Sequence, residues 1–223
     1  MPIANQEMIR ENNRSLVLKY LVNHPPVSRA ELAKQLKLTK ATISNIVQEL
    51  LEQKLVLEIG SAQTALGRKP ILLEFQKDCG YALALDVHPN HIIALSANLK
   101  GEDCKVNEYP FQQNEPLLPI LTDIISQQIE EHSNTPYGIV GITVGIYGVV
   151  NKNKIVFTPY YPLPESDLGQ MLDNKFHLPV IVENESNLSV LGESAFHSGC
   201  RNMIHINVHD GIGMGILIDG HLY

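Results

Sequence analysis

Two groups of residues have the types and spacing to do chemistry. In the first, Ala41, Thr42, Asn45 and Gln48 fall on one face of a helical repeat and are small or amide side chains. Amides pair bidentately with adenine, and methyl-bearing side chains contact thymine methyls in a major groove. Thr39, Lys40 and Ser44 flank that face and suit phosphate oxygens. Arg68 and Lys69, set between Gly67 and Pro70, put paired cations at the base of a loop of small residues. A cation so placed can enter a narrow minor groove, where the negative potential is strongest. In the second group, Glu183-Asn184-Glu185 offers two carboxylates and an amide, a set that accepts from and donates to sugar hydroxyls. The same three residues serve equally as a helix start, because acids there complement the dipole. Gly211-Ile212-Gly213-Met214-Gly215 lets backbone N–H groups approach a ligand, and the glycines of a tight hairpin account for it equally.

The elements that must position the first group are legible from periodicity. A helix is expected over Ile9–Val22, with Ile9, Asn13, Leu16, Val17, Tyr20 and Leu21 on one face, ended by His24-Pro25-Pro26. Ser28-Arg29-Ala30-Glu31 fits a capping box for a second helix carrying Leu32, Ala33 and Leu36 inward. After the turn Lys37-Leu38, Thr39 caps a third helix, whose Ile43, Ile46, Val47, Leu50 and Leu51 make a core stripe. Two strands, Leu55–Ile59 and Pro70–Phe75, then bracket a wing. Residues 1–76 therefore read as a winged helix-turn-helix, whose third helix enters a major groove. A small helical subdomain with a polar outer face, followed by an ordinary exposed turn, is the plainer alternative.

Residues 77–223 read as an α/β domain with a mixed sheet. Strands are expected at Tyr81–Val87, His91–Ala97, Cys104–Tyr109, Gly138–Ile146 and Val180–Val182, with helices over Pro116–His132, Asp167–Phe176 and Asn187–Phe196. A glycine-containing hairpin, Met203–Val208 with Gly213–Ile218, follows. Glu183-Asn184-Glu185 then lies just past a strand end, where α/β sheets hold ligands.

Charge divides the chain at the same place. Residues 1–75 carry ten Lys/Arg and seven Asp/Glu, and the remainder seven and seventeen, so a head of +3 precedes a body of −10. A basic head on an acidic body fits a polyanion partner for the head alone. No apolar run reaches the roughly 18 residues of a membrane span. The N-terminus has no apolar signal-peptide core. Cys79, Cys104 and Cys200 are odd in number and lack zinc spacing, as suits a reducing cytoplasm. No metal and no catalytic residue is assigned.

The chain resembles the ROK family (repressors, open reading frames, kinases), and within it the xylose-repressor branch. The resemblance is carried by SRAELAKQLKLTKATISNIVQELLEQKLV, by the GRKP of the wing, and by GYALALDV. It continues through YGIVGITVGIYGVV, IVFTP, VIVENESNLSVLGE and DGIGMGILIDGHLY, in family order over essentially the whole chain. It implies a transcriptional repressor with an actin-like, sugar-kinase-like body. The implied partners are double-stranded operator DNA, a small sugar effector such as xylose held at Asn184 and Glu185, and a second copy in a homodimer.

The family's kinases use an aspartate as base where this chain has Glu185, and a glycine-rich Asp-x-Gly-Gly-Thr phosphate loop where this chain has Asp86-Val87-His88-Pro89-Asn90. Proline and histidine deny the close backbone approach that phosphate needs, so phosphorylation is disfavoured. The family's Pro-Gly is Tyr147-Gly148 here, a change expected to reshape the pocket floor. Against the family the body reads as incomplete after Tyr223. The further sugar contacts and the cysteine-rich zinc motif would lie beyond it, so no cofactor is expected in this chain and exposed apolar surface is expected on the last hairpin. A sugar kinase and a non-functional remnant are the alternatives to a repressor.

Overall fold

A computed structural model describes residues 2–61, 70–112, 115–160, 162, 167–208 and 211–223. It divides into two compact units, Met1–Cys79 and Gly80–Tyr223.

In the first unit, α1 spans Pro2–Asn23, α2 Arg29–Leu36 and α3 Lys40–Glu52. Ser28 Oγ accepts from the Glu31 amide and starts α2. Lys37 turns the chain in the left-handed region (φ 54°), and Thr39 Oγ1 accepts from the Thr42 amide to start α3. The short polar side chains at 28 and 39 thus satisfy amide groups that an N-terminus leaves open. Strands β1 (Val27–Ser28), β2 (Val56–Ser61) and β3 (Ile71–Phe75) form an antiparallel sheet in the order β1-β3-β2. β1 was not expected, because two residues are too few for any periodicity to show. Val17, Leu21, Leu32, Ile43, Ile46, Val47, Leu50 and Leu73 form the core of the unit. The expected inward face of α1 needs correction. Val17 and Leu21 are buried, whereas Ile9 and Leu16 are exposed, because the core meets the helix only from Val17 onward.

The second unit is built on a mixed five-stranded sheet in the order β10-β7-β4-β5-β6. Its strands are β4 (Tyr81–Val87), β5 (His91–Asn98), β6 (Lys105–Pro110), β7 (Ile139–Ile146) and β10 (Val180–Asn184). β10, β7 and β4 run parallel, and β5 and β6 return antiparallel. Helices α4 (Leu117–Glu131) and α5 (Leu168–Phe176) contribute Leu121, Ile125, Leu168 and Leu172 to the core that covers Leu83, Leu85, Val144 and Val182.

Three expectations are corrected here. A small hairpin, β8 (Val149–Asn151) with β9 (Lys154–Phe157), follows β7. β10 runs on to Asn184, so Glu183 and Asn184 are strand residues rather than residues past its end. α6 begins at once and spans Glu185–Glu193, with Phe196 in a following π-turn over Ser194–Ser198. The strand overruns because Glu183 and Asn184 keep pairing with Gly145 and Ile146 of β7.

A last sheet, β11 (Met203–Val208), β12 (Ile212–Ile218) and β13 (His221–Leu222), lies against α6. Ile204, Ile206, Val208, Ile212 and Met214 are exposed, as expected of this hairpin. They share one face, because the register pairs Ile206 with Met214 and Val208 with Ile212.

Candidate functional site

On α3, the stripe Ile43, Ile46, Val47 and Leu50 faces the core and leaves Thr39, Lys40, Ala41, Ser44, Asn45 and Gln48 exposed, with Thr42 half-buried. The hydroxyls of Thr39 and Thr42 lie 2.9 Å apart and share one hydrogen bond, so the Thr42 oxygen is already engaged. Gln48 Nε2 donates to Glu52 Oε1 at 2.9 Å. Arg68 and Lys69 lie outside the described residues.

Gln6 and Arg10 of α1 were not foreseen in the sequence, and Asn13 was read there only as part of the helix's inward face. Gln6, Arg10 and Asn13 face Ala41, Thr42 and Asn45 across a cleft of about 560 Å³. Arg10 Nη2 meets Glu49 Oε1 at 2.5 Å. The only local hint was the polar Asn13 in an otherwise apolar stripe.

The second site is a cavity of about 270 Å³, lined by Tyr147, Gly148, Val149, Phe157, Pro159, Tyr160, Asn184, Glu185, Asn207, Gly211, Ile212 and Gly213. Asn184 is the N-cap of α6: its Oδ1 accepts from the amides of Ser186 (2.9 Å) and Asn187 (3.2 Å). Its Nδ2 donates to the Gly148 carbonyl oxygen (3.0 Å) and to Glu185 Oε2 (2.6 Å). Ser186 Oγ donates to Glu185 Oε1 at 2.5 Å. Each carboxylate oxygen of Glu185 thus accepts one protein hydrogen bond and keeps a lone pair for a ligand hydroxyl. Glu183 Oε1 instead accepts from the Asn184 amide (2.8 Å) and from Asn187 Nδ2 (3.0 Å), which makes it a brace. Of the two alternatives open in the sequence, the capping one is seen at Asn184, while Glu185 lines the cavity.

The glycine motif has a packing explanation. A Cβ at Gly215 would collide with the Ser186 carbonyl oxygen, and one at Gly213 with Ser186 Oγ and Glu185 Oε1. β12 can lie on the start of α6 only without side chains at those two positions. The cavity also uses Asn207, whose Nδ2 donates to Ser189 Oγ at 2.9 Å while its Oδ1 meets His205 Nε2 at 2.5 Å. Tyr160 and Asn207 were not foreseen, because their approach depends on tertiary packing.

Among the described residues, no group of three or more His, Cys, Asp and Glu could hold a metal ion, and no helix is long and apolar enough to cross a membrane.

The profile of the ROK family matches residues 82–223, and that of the MarR family matches residues 11–62. The xylose repressor of Bacillus spizizenii is 36% identical over 228 residues, which take in 100% of this chain and 59% of the relative. The xylose repressor of Lactiplantibacillus pentosus is 32% identical, over 98% of this chain and 58% of the relative. The chain thus spans somewhat over half the length of the curated relatives it matches. A crystal structure of a ROK family transcriptional regulator, a homologue of the Escherichia coli Mlc protein, superposes with a TM-score of 0.76 at 25% identity, over 96% of this chain and 56% of that one. A ROK glucokinase from Streptomyces griseus, solved with glucose and AMPPNP, shares the fold over 65% of this chain and 46% of that one (TM-score 0.53, 21% identity).

Proposed function

The chain belongs to the ROK family, and from that membership we propose that it is a sugar-responsive transcriptional repressor acting on DNA in the cytoplasm. The observation that carries the proposal is the exposed face of α3. Lys40, Ala41, Ser44, Asn45 and Gln48 point outward from a helix whose opposite face is the core of a winged unit. Such a face offers amides and small side chains to base edges and a cation to phosphate. Arg68 and Lys69 would extend the contact from the wing. A homodimer would place two such units on the halves of a palindromic operator.

The effector is a small sugar, with xylose the first to try, given the names of the relatives. Glu185, Asn207 and the backbone around Gly213 supply polar contacts in a cavity of monosaccharide size. A sugar that binds one conformation of the body more tightly than the other shifts the population away from the DNA-binding arrangement.

A kinase reading has less support. The turn after β4 is His88-Pro89-Asn90, with no glycine to admit a phosphate.

Fluorescence anisotropy with an inverted-repeat promoter duplex and a scrambled duplex, at one fixed salt concentration, tests the reading. Preferential binding to the promoter, reversed by D-xylose, is the expected result. Equal affinity for both duplexes would overturn it.

A further inference from the structure

The segment that replaces the phosphate loop has its own ordered structure. The His88 amide donates to the His91 carbonyl oxygen at 2.9 Å, which closes the turn between β4 and β5. The imidazoles of His88 and His91 stack with centroids 4.2 Å apart and planes within 10°. His88 also packs on Tyr147 at 4.8 Å, and Tyr147 meets Tyr160 edge-on at 6.3 Å. Four rings thus form a row from the start of β5 to the cavity, where Tyr147 and Tyr160 are part of the wall. Asp86 fixes the row, its Oδ2 2.9 Å from His88 Nε2.

His88 holds Tyr147 chiefly through the packing of the two rings, with the Tyr147 hydroxyl at the outer edge of hydrogen-bond reach. Asp86 Oδ2, at 2.9 Å, is the nearer of the two oxygens that His88 Nε2 meets. The Tyr147 hydroxyl, 3.5 Å from the same nitrogen, is beyond a strong bond. Both partners are shielded: Tyr147 is 9% exposed and the His88 side chain 12%. A ring fixed this way is a rigid flat wall. It can lie on the C–H face of a pyranose, and it cannot yield to an added substituent.

We propose that Asp86 and His88 are positioning residues for effector choice: they brace Tyr147 so that the cavity takes a pentopyranose and excludes a sugar carrying an exocyclic hydroxymethyl group. This rests on the proposed sugar site. D-xylose and D-glucose form the decisive probe pair, since in the pyranose form they differ only in that group.

Isothermal titration calorimetry on the 223-residue chain gives the test. The parent is expected to favour xylose by about 10- to 100-fold, the range a single carbon substituent commands in a shaped pocket. In His88→Ala the glucose Kd should fall and the preference shrink to within about threefold. A gain of glucose binding is an effect that a merely damaged fold does not produce. In Tyr147→Ala the preference should collapse likewise, and adding His88→Ala to it should change nothing further, because the brace then has nothing to hold. If His88→Ala does not fold, Asp86→Ala and His88→Gln carry the same test. An unchanged preference in the His88 and Asp86 variants, or a parent that binds both sugars alike, overturns the proposal. A parent that binds neither sugar overturns the sugar site itself, and this inference with it.

Discussion

Asn184 Nδ2 donates to Glu185 Oε2 at 2.6 Å while Asn184 Oδ1 caps α6, so the residue that starts the helix also aims the carboxylate beside it. The helix start and the setting of the Glu185 carboxylate are coupled through one amide.

Two substitutions separate those roles. Asn184→Ala removes the cap and should lower stability by about 1 kcal/mol, as N-cap truncations do, along with sugar affinity. Asn184→Asp keeps the capping oxygen but loses the donors to Gly148 and Glu185, and places a third carboxylate beside Glu183 and Glu185. It should stay closer to the parent in denaturant midpoint yet bind sugar at least as poorly as the alanine variant. Chemical denaturation and calorimetry on the same samples check both.

The glycines of β12 give a second contrast. At Gly213 the obstacle to a Cβ includes the Ser186 hydroxyl, which can rotate, and the Glu185 carboxylate. At Gly215 it includes the Ser186 backbone oxygen, which cannot move without unseating α6. Gly215→Ala should therefore cost about 1–3 kcal/mol, in the range of overpacked cores. Gly213→Ala should cost less stability but more sugar affinity, because it displaces Glu185. Comparing melting temperature with Kd across the two variants tests this.

These relations explain what the sequence made legible. Ser28 and Thr39 announce their helices because a cap acts within three residues, and the stripe from Ile43 to Leu50 announces its buried face because a helix repeats. β4, β5 and β7 are apolar enough to read as strands. The pairing of Arg10 with Glu49 spans 39 positions and that of His88 with Tyr147 spans 59, and no local periodicity encodes either. Asn153 is similar. Its side chain donates to the Val180 carbonyl oxygen at 3.1 Å and accepts from the Val182 amide, so a residue in the β8–β9 turn ties down the strand that delivers Asn184. Its left-handed backbone (φ 67°) is one asparagine tolerates, which marks the turn but not its partner.

The cysteines should differ in reactivity. Cys79 is buried, and that burial pushes its thiol above the ordinary range, which leaves little thiolate near neutrality. Cys104 and Cys200 are exposed. A thiol reagent at pH 8 should modify Cys104 and Cys200 quickly and Cys79 only after denaturant is added. Peptide mapping of the labelled chain would identify each site.

On α3, Asn45 and Lys40 should fail in different ways. Asn45→Ala removes an amide from the exposed face and should flatten the preference for promoter over scrambled duplex. Loss of one good base contact is worth about 1–3 kcal/mol at its base pair. Lys40→Ala should weaken both duplexes alike and lower the slope of log affinity against log salt by about one, since a phosphate contact carries no sequence information. Anisotropy titrations at several salt concentrations distinguish the two.

Arg10 and Glu49 bear on the same face from its acidic side. Glu49 lies on α3 one turn beyond Asn45, and Arg10 Nη2 neutralises it at 2.5 Å. The Arg10 side chain is 64% exposed, so the pair adds little to stability, about 0.2–1 kcal/mol as for other surface pairs. Its larger effect is on the electrostatic field around the exposed face of α3, and so on the DNA binding proposed for that face. Arg10→Ala would leave an uncompensated carboxylate beside the reading face and should weaken binding to every duplex, most strongly at low salt where screening is least. Glu49→Gln removes that charge and frees the guanidinium, so it should tighten binding to both duplexes with the promoter preference unchanged. The Arg10→Ala, Glu49→Gln double variant should recover affinity relative to Arg10→Ala alone. Opposite signs in the two single variants are required, and a loss of affinity in Glu49→Gln would show that Arg10 serves the helix rather than the DNA.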